Sequence, residues 1–192
     1  MENGLLKKRA KENAATMVAL AADEKIISQA DAVARRIVEC YRKGGKTIFM
    51  GNGGSAADAQ HMAAEFLGKY MIDRKPIPSI ALTTNSSAVT AIGNDYGYSK
   101  IFSRQLEAFA AKGDVVIGIS TSGNSDNIVE AFKFAKGKGM LCVALVGAKA
   151  CKLDGISDIS IKVPSDVTPR IQEMHELVLH TLCEIVETEL FG

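Results

Sequence analysis

Three stretches, KTIFM at 46–50, DVVIGIS at 114–120 and MLCVALVG at 140–147, are almost wholly apolar instead of alternating. A strand with apolar side chains on both faces belongs in a parallel sheet covered by helices on both sides. Two more short runs, SIALT behind the prolines at 76 and 78, and DISIKV at 158–163, bring the strands to five. Helical spacing predicts helices over 5–22 and 26–43. In the second, Ile26, Ala30, Val33, Ala34, Ile37 and Val38 recur at i, i+3 and i+4 before Gly44-Gly45 ends the pattern. Further helices are expected over 55–69, 86–92, 99–111 and 125–137, with GNDYGY separating the second from the third, and a last one from Thr168 to about Leu190. Strands alternating with helices define an α/β domain with a five-stranded parallel sheet, flavodoxin-like, with helices on both faces. The first 34 residues read as an N-terminal helical segment and 35–192 as the domain itself.

In the order 2-1-3-4-5, strands 1 and 3 flank the point where the winding reverses, and ligands bind there at the carboxyl ends. The two loops that follow those strands are Gly51-Asn52-Gly53-Gly54-Ser55 and Ser120-Thr121-Ser122-Gly123-Asn124-Ser125. Both open a helix, and neither contains Lys or Arg. Glycines let backbone approach a ligand closely, and free helix N-terminal N–H groups hold an anion without a formal positive charge. GNGGSA fits the loose GxGxxA form of a dinucleotide fingerprint, but strand two ends in Thr83-Thr84-Asn85, without the acid that would hold a ribose. The missing GK[ST] excludes a Walker loop. A tight turn with a helix cap needs one or two of the hydroxyls in STSGNS, not four. The two loops therefore read as phosphate-binding.

A net charge of +1 gives no general attraction to nucleic acid or anionic lipid. No apolar run is long enough to span a membrane, and the N-terminus lacks the uninterrupted apolar core of a signal peptide. Cys40, Cys142, Cys151 and Cys183 are scattered, without a CxxC pair, and read as reduced thiols of a cytoplasmic protein.

His61 and Glu65 lie four residues apart on one helical face, just behind the first loop. On the last helix, Gln172 and His180 share one side two turns apart, whereas His175 falls with Ile171, Met174 and Val178 and reads as packing. His and Glu are ordinary zinc ligands and Gln a less usual one. The spacing is not HExxH.

GNGGSAADAQHMAAEF, TAIGNDYGYSKIFSRQ, GDVVIGISTSGNS and RIQEMHELVLH, in this order, resemble the sugar isomerase (SIS) domain and, within it, the bacterial phosphoheptose isomerases. The resemblance spans nearly the whole chain. It implies a cytoplasmic homotetramer with active sites at subunit interfaces. It also implies conversion of sedoheptulose 7-phosphate to D-glycero-D-manno-heptose 7-phosphate, the first step toward ADP-heptose for lipopolysaccharide or GDP-heptose for other surface glycans. It makes Glu65 and His180 the catalytic pair. It places Asn52, Gly53, Gly54, Ser55, Glu65, Asn94, Asp95, Ser120, Thr121, Ser122, Ser125 and Gln172 around the substrate, and one zinc ion per subunit on His61, Glu65, Gln172 and His180. The family often has an Asp immediately before RIQE, where this chain has Thr168-Pro169.

Moving a proton between two adjacent carbons through an enediol needs a base on the carbon acid and an acid at the oxygens. A carboxylate partly removed from water suits the first role and imidazole the second. Two other classes fit the loops: a non-catalytic relative that binds a partner such as the replication initiator DnaA, and a phosphosugar-sensing domain without turnover. The presence of both Glu65 and His180 favours the enzyme.

Overall fold

The computed structural model describes residues 4–192. Strands β1 (Thr47–Gly51), β2 (Ser79–Ala81), β3 (Val115–Ser120), β4 (Leu141–Val146) and β5 (Ile159–Lys162) form one parallel sheet. Their order is β2-β1-β3-β4-β5, the doubly wound order expected. Thr47 pairs with Ser79 on one side and Val115 on the other, and Val115 pairs with Leu141, so the strands start nearly level. The helices are α1 (Leu5–Ala21), α2 (Glu24–Arg42), α3 (Gly54–Leu67), α4 (Ser86–Tyr96), α5 (Ser103–Phe109), α6 (Asp126–Gly137) and α7 (Thr168–Phe191).

Because every residue of β1 and β3 is buried, successive side chains feed opposite cores. Phe49, Ile117 and Val143 join α2, α3 and α7 on one face, through residues such as Ile37, Met62 and Leu179. Ile48, Met50, Val116 and Cys142 join α5 and α6 on the other, against Leu106, Ile128 and Phe132. Helix α2 starts at Asp23, whose carboxylate accepts from the backbone N–H groups of Lys25 and Ile26, and it runs unbroken through residue 34. Helix α1 buries only Leu20 and leaves Leu5, Leu6, Met17 and Val18 exposed. It is held to α7 by Asn13 Nδ2 donating to Glu173 Oε2 (2.5 Å) and by Arg170 donating to the Arg9 carbonyl (2.9 Å).

The largest departure from the expected elements lies in the middle of the chain. Helix α4 does not stop at residue 92 but carries Gly93, Asn94 and Asp95 to Tyr96. It is capped by the Asn85 side chain at the Ala88 N–H, and it ends at Gly97, whose φ of 83° suits glycine. A short 3-10 turn at Tyr98–Lys100 follows, so α5 begins at 103 instead of 99. The edge strand β2 ends at Ala81, and Thr83-Thr84 already belong to the turn that follows.

The segment between α3 and β2 has no regular structure of its own and is fixed by one buried ion pair. Arg74 and Glu187 are each 2% exposed, with Nε 2.7 Å from Oε1. Glu187 also accepts from the backbone N–H groups of Tyr70, Met71 and Ile72 (2.9, 2.6 and 2.8 Å). Arg74 donates to the carbonyls of Glu65, Phe66, Gly68 and Lys75, which closes the C-terminal turn of α3. Every polar atom of a costly buried pair is thereby used. Burial alone would raise the Glu187 carboxyl, but the three backbone donors and Arg74 outweigh it and hold it below its ordinary value. Glu187→Gln and Arg74→Ala are expected to cost about 3–5 kcal/mol, or roughly 6–20 °C in Tm for a chain of this size. A carboxyl lowered on folding stabilises fully above its unfolded pKa of about 4.3 and stops doing so as pH falls through the folded value. Glu187→Gln should therefore narrow its deficit in acid. Thermal melts between neutral and acidic pH check this, and an unchanged midpoint in both variants would remove the pair from the stability of the fold.

Candidate active site

The first loop is shaped by close contacts at its glycines. A methyl at Gly51 would lie 2.3 Å from the Ser55 carbonyl oxygen, and one at Gly54 would lie 2.1 Å from Gln172 Nε2. Gly53 has a φ of 57° and precedes α3 without any side-chain cap. In the second loop, Gly123 has a φ of 64° and a methyl there would meet Cys151 Sγ at 2.3 Å. The Ser120 hydroxyl accepts from the Gly123 N–H (3.1 Å) and lies 3.1 Å from the Ser125 hydroxyl, while Ser122 accepts from the Asn124 N–H (3.2 Å). Ser125 is the N-cap of α6 but makes no cap hydrogen bond. Two helices thus start at the carboxyl ends of neighbouring strands with no cap from the N-cap residue; in α6 the Ile128 N–H is taken by Asn127 Oδ1 (3.0 Å), and the earliest N–H groups are left for an anion. A hydroxyl that accepts one hydrogen bond keeps its own proton to donate.

The two loops are tied together. Asn52 and Asn127 exchange amide hydrogen bonds in both directions (3.0 and 2.8 Å), and the Tyr98 hydroxyl donates to Asn52 Oδ1 (3.0 Å). Ser55 and Ser120 are buried at the loop bases. Thr121, Ser122, Lys149, Ser165, Asp166 and Thr168 line a cleft of about 230 Å³ over β3 and β4. Thr168 is thus in the crevice, with Asp166 two residues earlier in the same cleft and 3.5 Å from Lys149. Lys149 gives this crevice a cation that neither loop supplies. Asn94 and Asp95 lie on the exposed last turn of α4, with Asn94 donating to Asp95 (2.8 Å).

Behind the first loop, α3 and α7 bring their polar rows together. His61 Nε2 lies 3.1 Å from Glu65 Oε1, and His61 Nδ1 lies 3.4 Å from Glu176 Oε2. The same Glu176 oxygen is 3.7 Å from His180 Nδ1. The imidazoles of His61 and His180 meet edge to face at 5.0 Å, and the Tyr70 ring stacks on His180 at 5.8 Å. Asp58 is buried one turn before His61, and its Oδ2 has no hydrogen-bond donor. Burial first, then the adjacent Glu176 carboxylate, push the Asp58 carboxyl up to about 7.

Sequence spacing found His61, Glu65 and His180 and the structure brings them together, with Gln172 one turn above Glu176 and against Gly54. Glu176 and Asp58 were missed. Glu176 sits midway between Gln172 and His180 on the same helical row, so the spacing that paired those two residues already contained it. Asp58 is three residues before His61, and only its burial sets it apart from other helical acids. His175 is fully buried, and desolvation pushes its pKa down to about 4, so it is a neutral packing residue as expected. Two imidazoles and a carboxylate with donor atoms all within 4.8 Å form a donor set suited to a zinc-type divalent cation.

Doubly wound topology, two helix-opening loops at the switch point and an adjacent His/Glu cluster are the geometry of an α/β domain that binds a small ligand at the carboxyl ends of its strands. The family model of the SIS domain matches residues 12–147. A phosphoheptose isomerase of Sulfurimonas denitrificans is 55% identical over 170 residues, 88% of this chain and 87% of the relative. Phosphoheptose isomerase 2 of Campylobacter jejuni is 52% identical over 170 residues, 88% of this chain and 85% of the relative. The solved phosphoheptose isomerase of Francisella tularensis superposes with a TM-score of 0.91 at 34% identity, covering 98% of this chain and 99% of that one. That of Neisseria gonorrhoeae gives 0.87 at 40%, covering 96% and 99%. The chain belongs to the SIS-domain family and, within it, to the phosphoheptose isomerases.

Proposed function

We propose that the protein interconverts D-sedoheptulose 7-phosphate and D-glycero-D-manno-heptose 7-phosphate, an aldose–ketose isomerisation that supplies nucleotide-activated heptose synthesis. The observation that carries the reading is the placement of the His61–Glu65–Glu176–His180 cluster directly behind two uncapped helix N-termini at the switch point. About 9 Å of helix axis separates Ser55 from His61 at 1.5 Å per residue. A sugar phosphate can therefore be held by its phosphate in the loops while its other end reaches the cluster.

In this reading Glu65 removes a proton from C1 of the ketose, giving an enediolate, and returns it to C2. His180 moves the hydroxyl proton between O2 and O1, so atoms and charge balance over the cycle. The stacked Tyr70 ring limits the orientations open to His180. Asn52, Gly53, Gly54, Ser55, Ser120, Thr121, Ser122 and Ser125 hold the phosphate, and Asn94, Asp95 and Gln172 belong to the substrate surroundings. Zinc, held through His61 and His180 with a carboxylate, and with Gln172 nearby, would polarise the sugar oxygens. A partner-binding or phosphosugar-sensing role leaves the His/Glu cluster without a task, and no observation favours either. The site is assigned to a cytoplasmic homotetramer, in which the N-terminal helices pack on neighbouring subunits. Support comes from the exposed Leu5, Leu6, Met17 and Val18 of α1, and closed symmetry makes a dimer of dimers the simplest assembly.

Three measurements test this. Glu65→Gln and His180→Ala are each expected to lower kcat by about 10²- to 10⁴-fold with the fold retained; a Glu65→Gln enzyme close to full turnover would end the base assignment. Ser120→Ala and Ser122→Ala should each cost roughly 10- to 150-fold in kcat/KM, the worth of one hydrogen bond to a charged group. They should barely change the poor turnover of unphosphorylated sedoheptulose, and equal losses on both substrates would move these serines away from the phosphate. Light scattering should give the mass of four chains, and a monomer at micromolar concentration would overturn the assembly.

A further inference from the structure

Tyr98 opens the 3-10 turn between α4 and α5, and its hydroxyl donates to Asn52 Oδ1 (3.0 Å), 46 residues away in the chain. Asn52 in turn exchanges amide hydrogen bonds with Asn127, which is 3% exposed. One backbone group sets the direction of every bond in this chain. The N–H of Ile128 can only donate, so the Asn127 atom it meets at 3.0 Å is the carbonyl oxygen. Asn127 Nδ2 must then face the Asn52 oxygen, and Asn52 Nδ2 the Asn127 oxygen. A side-chain carbonyl has two lone pairs. On Asn127 both are taken, by Ile128 and Asn52. On Asn52 both are taken, by Asn127 and Tyr98. Among the described residues each of the two amides keeps one N–H without a partner. The Tyr98 hydroxyl thus fills the last acceptor position of the pair that joins the loops, and leaves both amides as donors only.

The same contact ties down a loosely packed segment. Helix α4 buries none of its residues. Behind it, Tyr96 lies under the Arg104 guanidinium of α5 (4.2 Å to the ring centroid), Lys100 pairs with Glu130 of α6 (2.7 Å), and Ile101 and Phe102 are buried. Of these contacts, that of Tyr98 alone reaches the loop after β1. Its ring is 61% exposed, so the hydroxyl, not packing, is what Tyr98 contributes.

We propose that Tyr98 is a positioning residue for the phosphate end of the site. Its hydroxyl saturates the Asn52 carbonyl, so that a phosphate held by the loops meets no free acceptor on the amide pair. It also docks the last turn of α4, with Asn94 and Asp95, against the first loop. Tyr98 acts through Asn52 and does not touch the substrate. The consequence for substrate binding rests on the isomerase reading, but the dock does not.

Tyr98→Phe deletes the hydroxyl and keeps the exposed ring, and circular dichroism should show the full-length variant folded. Its KM for sedoheptulose 7-phosphate is expected to rise about 3- to 10-fold, the net worth of one hydrogen bond, while kcat stays within about twofold because α3 and α7 are untouched. A misfolded fraction would do the opposite and lower kcat at constant KM. In an Asn52→Ala background, Tyr98→Phe should have no further effect on KM, since its partner is gone. The dock is read without substrate, by hydrogen exchange. Backbone amides of residues 93–101 should exchange about 3- to 10-fold faster in Tyr98→Phe, and to a similar extent in Asn52→Ala, with β4 as an unchanged reference. Unchanged exchange in Tyr98→Phe overturns the dock, and an unchanged KM overturns the positioning role. A KM effect that persists in the Asn52→Ala background overturns action through Asn52 and puts the hydroxyl on the substrate. Failure of the unsubstituted protein to turn over sedoheptulose 7-phosphate is a separate result: it ends the isomerase reading, and the exchange measurement still decides the dock.

Discussion

The contact of α7 with α3 is the constraint on which the site depends. Gln172, Glu176 and His180 follow one another at helical spacing on α7, opposite Gly54, Asp58, His61 and Glu65 on α3. The polar seam would not hold itself in register, since its members are partly exposed and their mutual hydrogen bonds are long. Apolar contacts beneath it do that work. Met62 and Cys183 touch sulfur to sulfur at 3.8 Å inside the core that α2, α3 and α7 share with one face of the sheet. At one end the Gln172 amide packs directly on Gly54, where any side chain would have to displace it. At the other the register is fixed by Arg74 and Glu187, which close the end of α3 onto α7 and carry Tyr70 to His180. Side chains mounted on packed helices lose little further freedom when a substrate arrives, which favours precise proton transfer.

The proposed phosphate end is organised differently. Its donors are backbone N–H groups and short hydroxyls, whose positions follow from helix starts and from the Asn52–Asn127 amide exchange between the loops. Lys149 adds charge only at the outer rim, where it is largely solvated and already near Asp166. A formal cation buried in the loops would attract any anion, whereas a cradle of fixed dipoles selects for shape and hydrogen-bond geometry. Separating a neutral cradle from a charged acid–base seam also keeps the phosphate charge from raising the proton affinities it would otherwise meet.

Much of this was legible in the sequence because it is local or periodic. Unbroken apolar runs gave the parallel strands, alternation with helices gave the winding, and the winding located the two loops at one crevice. Periodicity also paired His61 with Glu65 and Gln172 with His180. What stayed hidden depended on distant partners. Glu176 reads as a solvated glutamate until α3 is placed beside it, and Asp58 becomes unusual only once its burial is known. Arg74 and Glu187 are 113 residues apart, and nothing in either neighbourhood marks them as a pair. The end of α4 was misplaced because glycine at 93 looks like a breaker, whereas Gly97, with its positive φ, is where the backbone actually turns.

Exposure of the seam carries the last step. In the single chain the side chains of His61, Glu65, Glu176 and His180 remain 44, 23, 30 and 34% exposed. An enediolate formed there would meet bulk water, which competes for its proton and weakens every electrostatic contact around it. Leu177, on α7 next to Glu176, is 40% exposed, and α1 presents a further apolar row. Apolar side chains next to a half-open reactive seam are better placed to receive a covering surface than to face solvent. Under the assembly proposed above, association would then serve chemistry as well as stability. The subunit would supply its acid–base groups from α3 and α7, and closure by neighbouring chains would supply the dry surroundings those groups need.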